Sequence, residues 1–355
     1  MPDTIKSKLK LIGSGASSGA PPGPPPHADM VWIPGGTFDM GSNDHYPEER
    51  PVHRVGVDGF WIDRYPVTNE RFRRFVEATG HVTFAETPPN PADYPGALPH
   101  MLYAGSLVFM KASGPVDLGN LGNWWTFMRG ADWRHPTGPQ SSIGGRKRHP
   151  AVHVTFRDAE ACARWEGKEL PTEAEWEFAA RGGLEGVEYA WGSEMAPRGR
   201  HMANTWQGEF PWQNLLVDRY EGTSPVDAFR PNGYGVSDMI GNVWEWTTDW
   251  YRPAHEGDPV KTCCIPSNPR GGNEADSYDP CQPAIRIPRK VLKGGSHLCA
   301  PNYCRRYRPA ARFPEPVDTS TCHVGFRCVV RVKPATESSP GGQAQTEGAE
   351  PSEPT

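Results

Sequence analysis

The sequence predicts a single α+β domain with long loops and little regular secondary structure. Three observations carry this. Glycine and proline number 39 each in 355 residues, which favours turns over long helices. The helix signatures all fall before residue 183, and residues 183–333 read as short strands separated by loops rich in Gly, Pro and Asn. Thirteen Trp and thirteen Phe supply large side chains for a core although only 36% of the chain is hydrophobic. No fixed-period repeat divides the chain.

The elements follow in order. MVWIPGGTFDMGS is a short apolar run, a Gly-Gly turn and a second short run. VHRVGVDGFWID alternates apolar and polar residues as a half-buried strand does. TNERFRRFVEATG reads as a helix: Thr68 is its N-cap, Phe72, Phe75 and Val76 share one face, and Gly80 stops it. Capping boxes announce two more helices, Thr155 with Asp158 in TFRDAEACARWEG and Thr172 with Glu175 in PTEAEWEFAARGG. Residues 1–29 and 334–355 hold too few large apolar side chains to offset the entropy of ordering, so both ends are expected to be disordered, around a domain at 30–333.

Removing the two ends leaves 34 basic and 36 acidic residues over 30–333. That balance gives no electrostatic case for nucleic acid or an anionic membrane. No run of about 18 apolar residues is present, so no membrane span is expected. The N-terminus lacks the apolar stretch of a secretory signal, which points to the cytoplasm and to eight mostly reduced cysteines.

The segment with the most chemistry is GGSHLCAPNYCRRYR, where Cys299 and Cys304 stand five residues apart. A zinc site wants four N or S ligands, usually in paired short spacings, and no C-x2-C or nearby H-x3-H accompanies this pair. A disulfide belongs to an oxidising compartment. Arg305, Arg306 and Arg308 follow directly, and cations favour thiolate. Two thiolates suit a soft ion such as Cu(I). On the residues alone, a copper or redox site and a structural pair both stand.

At this point the chain resembles the formylglycine-generating enzymes, or sulfatase-modifying factors. The motifs are MVWIPGGTFDMGS, LPTEAEWEFAARGG, ANTWQGEFP, PNGYGVSDMIGNVWEWTTDW, KGGSHLCAPNYCRRYRPAAR and HVGFRC, across about 30–333. LPTEAEWE and GNVWEW mark a wider superfamily, while the cysteine pair is specific. The resemblance implies a C-type-lectin-like domain and a copper-dependent oxidase. It would use O2 to convert the cysteine of a Cys-x-Pro-x-Arg motif to Cα-formylglycine, in an unfolded or extended type I sulfatase. It implies Cys299 and Cys304 as Cu(I) ligands, Ser296 as the active-site serine, and Tyr303 and Arg308 at the substrate pocket. A monomer is expected. Three segments of this chain begin Cys-x-Pro, at 264, 281 and 299, and none has Arg at the fifth position.

The resemblance also implies two structural Ca2+ sites. One would use Asn204, Thr205, Asp218 and Tyr220, the other Asp238, Gly241, Val243 and Glu245; on the residues alone these are equally Asx-turns and surface carboxylates. Cys162 and Cys328 fall where secreted relatives carry a disulfide, while Ala179 and Pro309 replace the second one. Cys263, Cys264, Cys281 and Cys322 match no family role. Trp124, Trp125 and Trp133 lie in one aromatic-rich loop, read either as core or as a groove wall for extended peptide, with Trp133 the candidate contact. Two other readings compete: a non-catalytic binding member of the same superfamily, and an iron-dependent C–S bond-forming enzyme. The iron reading needs a facial-triad run such as H-x3-H-x-E, and the sequence has none.

Overall fold

The computed structural model describes residues 10–11, 19–255 and 265–332. The strands are β1 Met30–Ile33, β2 Gly36–Met40, β3 His53–Val57, β4 Phe60–Asp63, β5 Gly105–Phe109, β6 Trp125–Arg129, β7 Trp244–Trp250, β8 Arg289–Lys293, β9 Arg312–Pro316, β10 Val324–Gly325 and β11 Val329–Arg331. The helices are α1 Asn69–Thr79, α2 Phe156–Trp165 and α3 Glu173–Arg181. Most of the remaining chain is loop, as expected for α+β with this much Gly and Pro.

The helices form where local chemistry puts them. The side chains of Thr68, Thr155 and Thr172 each accept from the backbone N–H three residues on, satisfying one of the orphan donors of a helix start. Gly80 and Gly182 end α1 and α3 in the left-handed region that glycine adopts without strain. Helix α3 is buried on every side because it sits among strands rather than on the surface.

A four-stranded sheet in the order β9-β8-β7-β10 is antiparallel except for the β7–β10 pair. A three-stranded sheet, β11-β4-β1, and two hairpins, β2–β3 and β5–β6, complete the described strands apart from a two-residue ladder between Lys10–Leu11 and Leu184–Glu185. One difference from the sequence concerns VHRVGVDGFWID. It forms two strands broken at Asp58–Gly59, and β4 is buried along its whole length. β4 is the central strand of its sheet, and both of its faces are covered, so alternation does not describe it.

The head expected to be disordered divides. Residues 1–9 and 12–18 lie outside the described residues, as do the 334–355 tail, Cys263 and Cys264. Residues 19–29 are held by the domain: the Trp32 indole donates to the Gly19 carbonyl at 2.7 Å, and the Arg64 amide to the Asp29 carbonyl at 2.8 Å. These two bonds fasten the segment to β1 and to the residue after β4.

The described residues form three core clusters, two of which include residues of the Cys299–Cys304 segment. One joins α1 and α2 to Trp244, Trp246 and Phe326, one packs α3 against β1–β4, and a smaller aromatic one gathers Trp124, Trp206, Phe210, Leu298 and Ala300.

Candidate active site

Strand β8 delivers the segment. Gly294 and Gly295 turn the chain at φ +93° and +70°, and a Cβ on Gly295 would stand 2.9 Å from the Arg306 carbonyl oxygen. Only glycine lets the outgoing and returning strands of the loop approach so closely. Beyond the turn, Cys299 Sγ and Cys304 Sγ lie 3.2 Å apart, unbonded. Cys299 is buried and Cys304 half-buried.

The two thiols are electrostatically unequal. The hydrogen bond from Cys299, with help from the Arg306 charge and against burial, brings Cys304 down to about 6. Burial, followed by the neighbouring Cys304, pushes Cys299 well above the ordinary range. The buried sulfur therefore holds its proton more tightly than its neighbour does. Arg306 is itself held by Glu48 at 2.6 Å and lies over the Tyr46 ring at 3.8 Å.

Ser296 is fully buried. Its hydroxyl oxygen accepts from the Leu298 amide at 3.2 Å, and its own N–H points to Cys299 Sγ at 3.4 Å. The serine shapes the loop that aims the sulfur, a local side-chain turn. Tyr303 stacks on Phe210 with centroids 4.4 Å apart and meets the edge of Trp124 at 5.4 Å, a rigid aromatic wall beside the sulfurs.

Two expected substrate contacts are placed otherwise. Arg308 is 1% exposed, and its guanidinium forks onto both Glu49 oxygens, at 2.8 and 2.5 Å. A buried cation needs such a partner, so Arg308 braces the loop from below rather than offering a free charge to a peptide. Trp133 is 1% exposed and packs edge-on to Phe72 at 5.2 Å, with Arg134 over its ring. It belongs to the core, because the chain around it folds inward over α1; Trp124 is the tryptophan at the cysteine segment.

The oxygen-rich loops are tied to the cysteines. The Trp206 amide donates to the Cys299 carbonyl at 3.0 Å, the Gly241 amide to the Gly294 carbonyl at 3.0 Å, and the Asn242 carbonyl accepts from both the amide and Nδ1 of His297, at 3.0 and 2.8 Å. Among these loops three buried side-chain oxygens have no partner: Asn204 Oδ1, Asp218 Oδ2 and Asp238 Oδ1. Burial pushes the Asp238 carboxyl up to about 8. Orphaned buried oxygens of this kind call for a cation, and an oxygen set suits Ca2+. Asn204 and Asp218 fit one site well, though the Thr205 carbonyl already accepts from the Gln207 amide and Asp218 Oδ1 from the Tyr220 amide. At the second site, Glu245 is shared with Arg327 and Trp176; its Oε1 accepts only one hydrogen bond, at 2.8 Å, and keeps a lone pair. Val243 is buried there, and Gly241, at φ +74°, has no room for a Cβ, which would meet the Asn204 carbonyl at 2.3 Å.

Elsewhere among the described residues, Asp63, Glu166 and Cys328 lie close enough to share an ion. Lys168, 2.8 Å from Asp63 and 2.9 Å from Glu166, and Arg71, 2.9 Å from Asp63, already neutralise that group. Cys162 and Cys328 are buried free thiols, Cys281 is exposed, and Cys322 accepts from the Phe109 amide at 3.3 Å. Sequence reading missed Tyr46, Glu48, Glu49 and Phe210. Glu49 and Arg308 are 259 residues apart, and no local pattern links them.

Residues 18–332 match the family model of the sulfatase-modifying factor enzyme 1-like domain. The chain is 52% identical over 302 residues to the formylglycine-generating enzyme of Mycobacterium tuberculosis, covering 85% of this chain and 97% of that one. It is 36% identical over 310 residues to the inactive C-alpha-formylglycine-generating enzyme 2 of Bos taurus, covering 84% and 87%. In three dimensions it is similar to PvdO from Pseudomonas aeruginosa, with a TM-score of 0.55 and 24% identity over 84% of this chain and 93% of that one, which bears on the fold alone. The chain belongs to the sulfatase-modifying factor family and is an enzyme of its formylglycine-generating kind.

Proposed function

We propose that this enzyme converts the cysteine of a Cys-x-Pro-x-Arg motif in an extended type I sulfatase chain to Cα-formylglycine, with Cu(I) at Cys299 and Cys304 and O2 as co-substrate. The observation that carries the reading is the sulfur pair, 3.2 Å apart and unbonded. Two soft donors on one loop fit a soft monovalent ion. Copper, when bound there, supplies a place for the substrate sulfur and for oxidation by O2.

The chain's own residues do the rest. Cys304, lowered by its neighbour and Arg306, is the sulfur that ionises readily, and it is the less buried of the two. Cys299 gives up its proton only when a cation replaces it. The Ser296 turn fixes the direction of the buried sulfur. Tyr303, half-buried and backed by the buried Phe210 and Trp124, offers the free side of its ring to the client's proline. Asn204, Thr205, Asp218 and Tyr220, and separately Asp238, Gly241, Val243 and Glu245, would hold Ca2+ with a structural role. Their backbone bonds to Cys299, Gly294 and His297 tie those loops to the catalytic one. The fold contains no helix, among the described residues, long and apolar enough to cross a membrane. We place the reaction in the cytoplasm, on a monomeric enzyme.

Mass spectrometry of a Cys-x-Pro-x-Arg peptide incubated with enzyme, Cu(I), reductant and air tests the reading. Loss of the thiol and gain of an aldehyde, absent under nitrogen and in Cys299→Ser or Cys304→Ser enzyme, is the expected result. Copper bound one-to-one without peptide conversion would assign the site to another thiol.

A further inference from the structure

A second surface lies along the same strand pair as the aromatic wall. It is a cleft of about 570 Å³ whose lining includes Tyr94, Met101, Leu107, Phe127, Ile285 and Asp318. It is open: Met101 is 53% and Phe127 38% exposed. Exposed apolar side chains gathered round one hollow mark a place where something docks. The cleft carries no unpaired acid to attract a cation, because Asp318 accepts from the Tyr94 hydroxyl. At the rim, Arg129 lies over the Tyr103 ring at 4.0 Å, and that ring packs on Phe127 at 5.3 Å. The occupant it fits is uncharged and apolar.

The hairpin connects this cleft to the sulfurs. In the β5–β6 register Phe109 opposes Trp125 and Leu107 opposes Phe127, so these four residues share one face. At one end Phe109 packs on Phe210 at 5.6 Å, and Phe210 stacks on Tyr303 at 4.4 Å. At the other end Leu107 and Phe127 line the cleft. Two residues of strand cover roughly 7 Å, so the path from the cleft through Phe109 and Phe210 to the Tyr303 ring is at most about 17 Å. An extended chain spans that distance in about five residues.

We propose that this cleft binds apolar side chains of the client polypeptide about five or six positions from the cysteine that is oxidised. The proposal rests on the reading of an extended client given above. An extended or unfolded chain is the partner that presents apolar side chains, and the continuous hairpin face gives it a track from the sulfurs to the cleft. Binding energy gathered there holds the reacting cysteine at the metal without touching the chemistry, so it belongs in KM rather than in kcat.

The test uses three synthetic peptides in which serine replaces the reacting cysteine. The short one spans only the Cys-x-Pro-x-Arg segment with polar flanks. The long ones add two leucines five and six positions after that residue, or before it. One long peptide is expected to bind about tenfold more tightly than the short one. The double variant Met101→Ser, Phe127→Ser, at two exposed positions and with an unchanged thermal melt, is expected to lose that gain and to bind the short peptide as the wild type does. The proposal is overturned if neither long peptide gains affinity, if the gain survives the double variant, or if the variant abolishes a concentration-dependent dimer instead, which would assign the cleft to a second copy of this chain. Cysteine versions of the same peptides separate the two readings: failure to convert even the short one defeats the oxidase, while the affinities still report on the cleft.

Discussion

Lys293 and Gly294 are adjacent, and they separate two kinds of buried chemistry. Around α3 and β8 the buried charged groups come with partners. Lys293 lies 3.0 Å from Glu177, Arg181 also holds Glu177, and Arg312 forks onto Glu173 at 2.8 and 2.9 Å. From Gly294 onward, and in the loops that brace it, donors face each other without a cation: Cys299 and Cys304, Asn204, Asp218 and Asp238. The proton affinities divide the same way. Glu177 is brought down to about 2 by Lys293 and Arg181 despite burial, whereas burial raises Asp238 to about 8. The α3–β8 region thus carries its own counterions, while the loop region leaves buried donors unpaired, which is the arrangement the proposed ion sites require.

The comparison breaks most severely if a counterion is removed from the first region. Lys293→Met leaves Glu177 and Glu173 with one cation fewer in a fully buried place, and a loss of about 3–5 kcal/mol in urea unfolding is expected. An unchanged midpoint would mean that Arg181 and Arg312 suffice.

Acid reads the same region. A carboxyl lower in the folded protein than in the unfolded chain stabilises above pH 4.5 and stops doing so as pH falls toward 2. Glu177 should account for a loss on the order of 3 kcal/mol across that window. Glu177→Gln should flatten this part of the stability curve, measured by denaturant midpoints against pH.

The second region is sharpened by its ions. Chelation should lower the melting temperature, and Ca2+ in hundredfold excess over its dissociation constant should restore about 2.7 kcal/mol. Asn204→Ala with Asp218→Ala should abolish one part of that response. A calcium-independent melt would return these oxygens to the role of turn-formers.

The sequence made one part of this legible and left the other dark, for physical reasons. Helix caps are local, so Thr68, Thr155 and Thr172 announced α1 to α3 correctly. The cysteine spacing pointed to one loop, and the loop brings the two sulfurs together. Arg308 and Trp133 were misplaced because burial is a property of the packed chain: nothing near Arg308 names Glu49 as its partner, and nothing near Trp133 names Phe72. The full burial of β4 was equally invisible, since it follows from its place between β1 and β11.

The central claim is that Cys299 and Cys304 are a Cu(I) site, and a competition titration tests it most directly. Reduced protein is set against a chromophoric Cu(I) chelator, alongside Cys299→Ser and Cys304→Ser. One tight Cu(I) per chain is expected, lost in both variants, with their melting temperatures close to that of the wild type. Tight binding that survives either substitution, or none in the wild type, would contradict it.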